Sequence, residues 1–483
     1  MKKLFSIAAI TGLFLFVPHT ALAGEVEDRI IDKVVTAYGG DKFKNLESIT
    51  IHSDLRSGEV EQGYTADYVE MRRSKKVLKM DLINQRGSKE TWGGPLNPYN
   101  VRHFNMEGGI GNIWYDKKEY RIHSDGEYYR RFGGEIRSSD TLLAYELMNR
   151  ADLATHKRKE TYLGMPHDVV ELAMLNWPAM NLYIDSDTGH ITKMVRKNDY
   201  GAIRYQFGDF KKSNGITYAN DFDFFVNDFL SEYAKSRKIE VNNVRESTFE
   251  IDRGISEEGE TVDQSEMTVE AVGNRIHQVG QNFAYSAFIE ADDYLIAVGG
   301  SAGFKDRYAA YRAKHGNNGK RLKYMIVTHH HSNALTGLKD AKDLGATFIS
   351  PEMAVESVKK YGGKGLADSD IKILDNKMTL GPVEIHDIAT SHVGSFALVY
   401  VPEDRTVFQV DHYGGYFKDG PSFAYRSAAT LKAEIERLGL DVEVILSGQH
   451  RKAEPYTMFL TSLNLNYRPG LCPTKRVICR SER

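Results

Sequence analysis

Two different patterns of apolar and polar positions divide the chain. From residue 24 to about 251, short runs of β-branched and aromatic residues alternate with turn signals, after one early helical segment at 26–38 that ends on Gly39-Gly40. The runs 182–185 and 191–196 flank the turn Ser186-Asp187-Thr188-Gly189, and the runs 203–207 and 217–225 bracket Ser213-Asn214-Gly215. Hairpins in series of this kind predict one curved antiparallel sheet. From about Thr268 the period changes. Strands are predicted at 283–289, 294–298, 322–327, 346–349, 383–388, 396–401, 406–410 and 442–446, with helices through 308–313 and over 335–344, 351–361 and 428–438. Alternation of strands and helices predicts a layered second domain, so the fold class expected for the whole is α+β. The run Gly299-Gly300-Ser301-Ala302-Gly303 lacks the Lys-Ser/Thr that follows a phosphate-cradling loop, and is read as a tight turn.

Between the two patterns lie Glu250, Asp252, Glu257, Glu258, Glu260, Asp263 and Glu266 with Gly254 and Gly259, read as a solvated acidic linker. The expected organisation is therefore a signal peptide at 1–23, a β-rich domain at 24–251, a linker at 252–267, a second domain at 268–470 and a tail at 471–483. The signal reading rests on Lys2-Lys3, an apolar run at 4–17 and the small-residue site Ala21-Leu22-Ala23. That run is shorter than the ~20 residues a spanning helix needs. A periplasmic or secreted protein with no membrane span is expected. The tail holds both cysteines, Cys472 and Cys479, which in an oxidising compartment suit a small disulfide loop, the alternative being two unpaired thiols.

Composition changes this picture little. At 483 residues, with 41% hydrophobic and 27% charged positions, the chain is too long for one ordinary domain and too apolar for disorder. Its 63 basic and 66 acidic side chains give a net charge of -3, which argues against a nucleic-acid partner and leaves charged ligands to local sites.

Residues 24–251 show no catalytic cluster; His52, His103, His123, His156, His167 and His190 lack ligand spacing and are read as surface or half-buried groups. In Ala37-Tyr38-Gly39-Gly40, and in Leu182-Tyr183-Ile184-Asp185 followed by Thr188-Gly189, this region resembles the half-barrel domains of exported proteins related to bacterial lipoprotein carriers. The resemblance implies a half-barrel whose concave face holds an apolar, lipid-like ligand. The alternative is that the aromatic strands simply build a core.

Chemistry concentrates in the second region. Thr328-His329-His330-His331-Ser332-Asn333-Ala334 falls where a buried strand ends, and histidines two apart on a loop can turn toward one point, as a zinc site requires. Three more polar groups follow at strand ends: Ser391-His392-Val393-Gly394-Ser395, Val410-Asp411-His412 and Ser447-Gly448-Gln449-His450. In this order and spacing they resemble the metallo-β-lactamase-fold superfamily, over roughly 268–469. The resemblance implies an αββα sandwich with the metal in a groove along one edge of the sheets. It matches His329, His331 and His392 to the first metal site, Asp411 to the carboxylate that bridges two metals, and His450 to the second site.

Three positions depart from the family pattern. Asn333 stands in place of the second-site Asp, Ala334 in place of the adjacent His, and Ala297 where the first strand ends in Asp. An amide is a poor anionic ligand and a methyl group is none, so one Zn²⁺ is expected, with other divalent metals as alternatives. The expected activity is metal-dependent hydrolysis of a small-molecule ester, lactone, amide or thioester. Asp411, with His412 as the lesser alternative, would orient or deprotonate water, and His450 would donate to a leaving group or oxyanion. His330 and Ser332 are expected to support the ligands or face solvent, and His277, His315 and His386 to be structural. Tyr416, Phe417, Phe423 and Tyr425 are candidates for an apolar pocket wall. The competing reading is a catalytically degenerate binding protein of the cell envelope that holds an apolar ligand.

Overall fold

Fourteen strands between Ser48 and Glu257 form one sheet in the computed structural model, and two further sheets of seven and six strands follow from Thr268 onward. The structure describes residues 24–466, apart from 60, 68, 70, 94–100, 107–108, 116–117, 124–127, 175–176, 199–200, 258–262, 317–319, 415–423, 425 and 452. The expected signal peptide, the Cys472 and Cys479 pair, and Tyr416, Phe417, Phe423 and Tyr425 lie outside the described residues.

Apart from the parallel edge strand Ser256–Glu257, the large sheet is a succession of antiparallel neighbours, joined at its middle where Ser48–Ser57 pairs with Phe229–Val241. The hairpins expected around 182–196 and 203–225 are present as Trp177–Asp185 with Ile191–Asn198 and Gly201–Ser213 with Ile216–Val226. Asn214 and Gly215 both have positive φ (51° and 87°), the backbone twist that a tight two-residue hairpin requires. Helix Glu25–Tyr38 and the pair Tyr128–Arg137 and Asp140–Asn149 cover one face of the sheet. Ile31, Val34, Phe132, Ile136, Leu143 and Leu147 from these helices share a core with Ile49, Leu78, Met80, Leu182, Ile184 and Phe222 from the strands. The apolar strand residues behind the lipid-carrier resemblance are thus packed against helices.

Part of the acidic stretch is built into the fold. Ser256–Glu257 runs parallel to Glu119–His123 at the sheet's edge, Asp252 accepts from Tyr115 Oη at 2.6 Å, and buried Gln264 accepts from Tyr285 Oη at 2.7 Å. The acids themselves stay exposed at Glu250, Asp252, Glu257, Asp263 and Glu266, while Tyr115 and Tyr285 find hydrogen-bond acceptors on this stretch.

Beyond Thr268, side chains of successive strand residues separate into two cores. In Tyr294–Val298, Ile296 and Val298 pack toward the six-stranded sheet, against a set that includes Val399, Phe408 and Leu446. Leu295 and Ala297 point the other way, into a core shared with Phe304–His315, Leu338–Asp343 and Val355–Gly362. The outer face of the six-stranded sheet is covered by Arg426–Leu438 and Tyr456–Asn466 through Ala428, Leu431, Ile435 and Phe459. The order of layers is helix, sheet, sheet, helix.

One expected helix is shorter than its apolar pattern. The segment 335–344 becomes helical only at Leu338–Asp343, after a 3₁₀ turn at Ser332–Ala334. Gly337 donates to Gly300 O at 2.8 Å and lies so close to Ser301 that a Cβ would meet its carbonyl oxygen at 2.2 Å. That backbone approach holds the preceding residues in a loop. Around Gly299-Gly300-Ser301-Ala302-Gly303, buried Arg307 donates to Ala302 O (2.6 Å) and Ser301 O (2.7 Å), so the turn offers carbonyls to a guanidinium. No helix among the described residues is long and apolar enough to cross a membrane.

Candidate metal centre

Three loops at the strand ends carry the polar groups. Strand Arg321–Ile326 runs into Val327 and Thr328, and Thr328 O accepts from Ala397 N at 2.7 Å, tying the histidine loop to the neighbouring sheet. His329, His330 and His331 follow, each 1% exposed or less. The loop with His392 is turned by Thr390, whose hydroxyl accepts from His392 N (3.2 Å) and Val393 N (3.4 Å). After Thr406–Gln409 the chain winds around the Gln409 side chain, whose Oε1 accepts from His412 N (3.1 Å) and Tyr413 N (3.2 Å) and whose Nε2 donates to Tyr413 O (2.8 Å). Asp411 sits in that turn with φ 66°, a left-handed conformation that costs a non-glycine residue about 1–3 kcal/mol and is maintained by its surroundings.

These loops bring His329, His331, His392 and Asp411 together, with one ligand atom from each lying within 4.8 Å of all the others, an arrangement that could hold a metal ion. Asp411 Oδ2 is 3.2 Å from His329 Nε2 and 3.6 Å from His392 Nε2. Neither approach is aligned as a hydrogen bond, and His329 Nε2, His331 Nδ1, His392 Nε2 and Asp411 Oδ2 are all buried without a hydrogen-bond partner. Ligand atoms around a tetrahedral ion with bonds of ~2.0–2.1 Å stand roughly 3.3 Å apart, close to the carboxylate-to-imidazole distances found. The donor set fits a cation and is costly without one, since each buried unsatisfied polar atom is penalised.

Opposite ring nitrogens are engaged. His329 Nδ1 is 3.0 Å from Thr328 Oγ1, and His331 Nε2 donates to Gly63 O at 2.9 Å. Burial pushes the protonation of His329 and His331 down, against the pull of Asp411, which favours the neutral imidazoles that ligation needs. Burial would raise the Asp411 carboxyl, but His329 and His392 beside it hold it well below the usual carboxylate range.

The other sequence candidates fall elsewhere. His450 is buried with its ring against Gly414 and 6.4 Å from that of Tyr413, and it is not one of the four clustered residues. His412 has both ring nitrogens occupied, by Val410 O at 2.7 Å and Thr390 Oγ1 at 2.9 Å, which leaves it a structural group and Asp411 the remaining base candidate. His330 is buried, not solvent-facing, with Nε2 on Gly63 O at 3.0 Å. Ala297 is fully buried in the helix-side core, where a carboxylate would have no place. Asn333 Oδ1 accepts from Gln62 Nε2 at 3.1 Å.

Three contributors were not anticipated: Gln62, Gly63 and Gln449. The Gln449 side-chain amide donates to Asp411 Oδ1, leaving Oδ2 to face the histidines. Gln449 stood inside a recognised motif, but nothing in its identity marked it. Gly63 acts through its carbonyl, which has no sequence signature. A cavity of about 350 Å³ opens beside Gln449 and Asn333, walled by Phe283, Tyr285, Gly299 and Gly300.

No protein-family model matches the chain, and no curated protein matches it. Among solved structures, the DIM-1 metallo-β-lactamase is similar at 15% identity and TM-score 0.35, over 42% of this chain and 98% of that one. FIM-1 from Pseudomonas aeruginosa in its mono-zinc form is similar at 13% identity and TM-score 0.34, over 42% and 96%. A metallo-β-lactamase from Pontibacter korlensis is similar at 13% identity and TM-score 0.34, over 41% and 98%.

Proposed function

We propose that the chain is an exported hydrolase of the metallo-β-lactamase fold that uses one zinc ion to cleave an ester, lactone, amide or thioester. The observation that carries this reading is the convergence of four buried, otherwise unpartnered donor atoms from His329, His331, His392 and Asp411. A bound Zn²⁺ would supply Lewis-acid polarisation of a carbonyl and would acidify water.

The rest of the chemistry belongs to the chain. His329, His331 and His392 would hold the ion, and burial of His329 and His331 favours their neutral imidazoles. The Asp411 carboxylate, steadied by the Gln449 amide on Oδ1, would orient the attacking water and accept its proton. His450 lies outside the cluster and is assigned no ligand role at this ion; the role open to it is donation to an oxyanion or leaving group. The substrate's remaining portion is accommodated in the cavity beside Asn333 and Gln449, whose Phe283 and Tyr285 walls suit a partly apolar small molecule.

The test is metal content of the purified full chain, followed by turnover of chromogenic esters, lactones and a cephalosporin. About one zinc per chain is expected, with metal and turnover lost together in His392→Ala. A second reading, a catalytically degenerate binding protein, is favoured by the engagement of the Asn333 side-chain oxygen with Gln62. Zinc bound at full occupancy without turnover of any substrate would select it.

A further inference from the structure

The segment between strands Ser48–Ser57 and Arg72–Asp81 leaves the fourteen-stranded sheet and reaches histidines 267 positions away in sequence. Its root is fixed by Gly58 N donating to Ser231 O and Ser231 Oγ donating to Gly58 O, both at 2.7 Å. Further along, Glu61 pairs with Lys360 Nζ and accepts from Tyr361 Oη. Gln62 Nε2 reaches Ser332 Oγ (3.3 Å) and Asn333 Oδ1 (3.1 Å). Gly63 O accepts from His330 Nε2 and His331 Nε2, and Tyr64 O accepts from Gly394 N at 2.9 Å. Gln62, Gly63 and Tyr64 therefore touch the two histidine-bearing loops between them, and Glu61 anchors the segment to helix Val355–Gly362.

The consequence lies in the tautomer of His331. An imidazole that offers Nδ1 to a metal must carry its proton on Nε2, and a buried N–H without an acceptor is costly. Gly63 O is that acceptor, and its second lone pair takes the His330 ring, so one carbonyl sets the orientation of two adjacent imidazoles. Gln62 acts in parallel by donating to the Asn333 side-chain oxygen, which ties the segment to the loop after His331.

We propose that residues 61–64 are a positioning element of the metal centre, with Gly63 O fixing the Nε2–H tautomer of His331 and Glu61 and Gln62 holding that carbonyl in place. The fourteen-stranded sheet then serves the site as the platform for this segment, and is not solely a separate ligand carrier. This rests on the metal-centre reading of His329, His331, His392 and Asp411.

The experiment compares the full-length protein with Gln62→Ala and with Glu61→Ala/Gln62→Ala. Zinc affinity is measured by competition with a chromophoric chelator, unfolding is followed in excess chelator, and the imidazole N–H signals of ¹⁵N-histidine-labelled, zinc-loaded protein are recorded. Groups that orient a metal-ligating histidine typically contribute 10–100-fold in affinity, so the double variant is expected to bind zinc roughly that much more weakly, with Gln62→Ala in between. The His331 Nε2–H signal should be protected from exchange in the parent and exchange faster in the double variant, with unchanged unfolding in chelator. Equal zinc affinity and an equally protected signal in all three proteins would overturn the positioning role while leaving the metal centre standing. Failure of the parent itself to take up zinc would overturn the metal reading, and this inference with it.

Discussion

Asp411 is the most constrained residue of the site. Its left-handed backbone is held by the turn around Gln409, one carboxylate oxygen is held by Gln449, and the other faces three histidines. Gln449→Leu removes the donor that fixes this carboxylate; turnover is expected to fall about 10–100-fold while elemental analysis still finds about one zinc. Asn333→Asp restores the carboxylate that a second ion would use, yet Gln449 occupies Asp411 Oδ1 and Ala334 offers only a methyl group. Metal content in Asn333→Asp is accordingly expected to stay near one per chain. The residues that cluster were legible as chemistry because histidine and aspartate at strand ends carry recognisable spacing. The amides of Gln62 and Gln449 were not, because glutamine is common on surfaces and its role here depends on what faces it.

Strands and helices of the large sheet enclose a charged group that alternation alone does not reveal. Lys76 Nζ lies 3.0 Å from Glu135 Oε2 and 3.4 Å from Glu232 Oε1, and Lys89 Nζ lies 3.0 Å from Glu135 Oε1. Burial opposes charge at Glu135, but Lys76 and Lys89 more than reverse it and hold the carboxyl far below its usual range. A carboxyl depressed in the folded state stabilises the protein above its unfolded pKa of about 4.3, and that contribution is lost as pH falls below it. Urea midpoints are therefore expected to drop between pH 5 and pH 3 more steeply in the parent than in Glu135→Gln. At pH 7 Glu135→Gln is expected to cost about 3 kcal/mol, because it leaves buried lysine charge less compensated. The helix that presents Glu135, Tyr128–Arg137, was also absent from the sequence reading. Its segment carries Gly133-Gly134 and four charges, and it becomes helical by packing Phe132 and Ile136 onto the sheet.

Contacts between the large sheet and the metal centre tie distant parts of the molecule together. The three tryptophans, Trp92, Trp114 and Trp177, all belong to strands of the fourteen-stranded sheet. A ligand that binds only the folded centre stabilises whatever unfolds cooperatively with it, by ~2.7 kcal/mol at a hundredfold excess over its dissociation constant. Zinc is expected to raise the unfolding midpoint followed by tryptophan fluorescence as well as that followed by far-ultraviolet circular dichroism. A shift seen by circular dichroism alone would show that residues 61–64 do not couple the sheet to the centre.

Periodicity was sufficient to define the two structural patterns and the helix and sheet alternation after Thr268, and the resemblance in motif order supplied five candidate ligands, of which four converge. Each of those features is written in local repeats of 2 or 3.6 residues, or in chemically distinctive side chains at strand ends. Three things waited for the chain to be folded: the shortening of the helix after Ala334, the exclusion of His412 and His450 from the cluster, and the arrival of Gly63 at His331. All three depend on backbone groups or on close approach between segments far apart in sequence. A carbonyl oxygen is the same atom in every residue, so only its position in space distinguishes the one that orients a histidine.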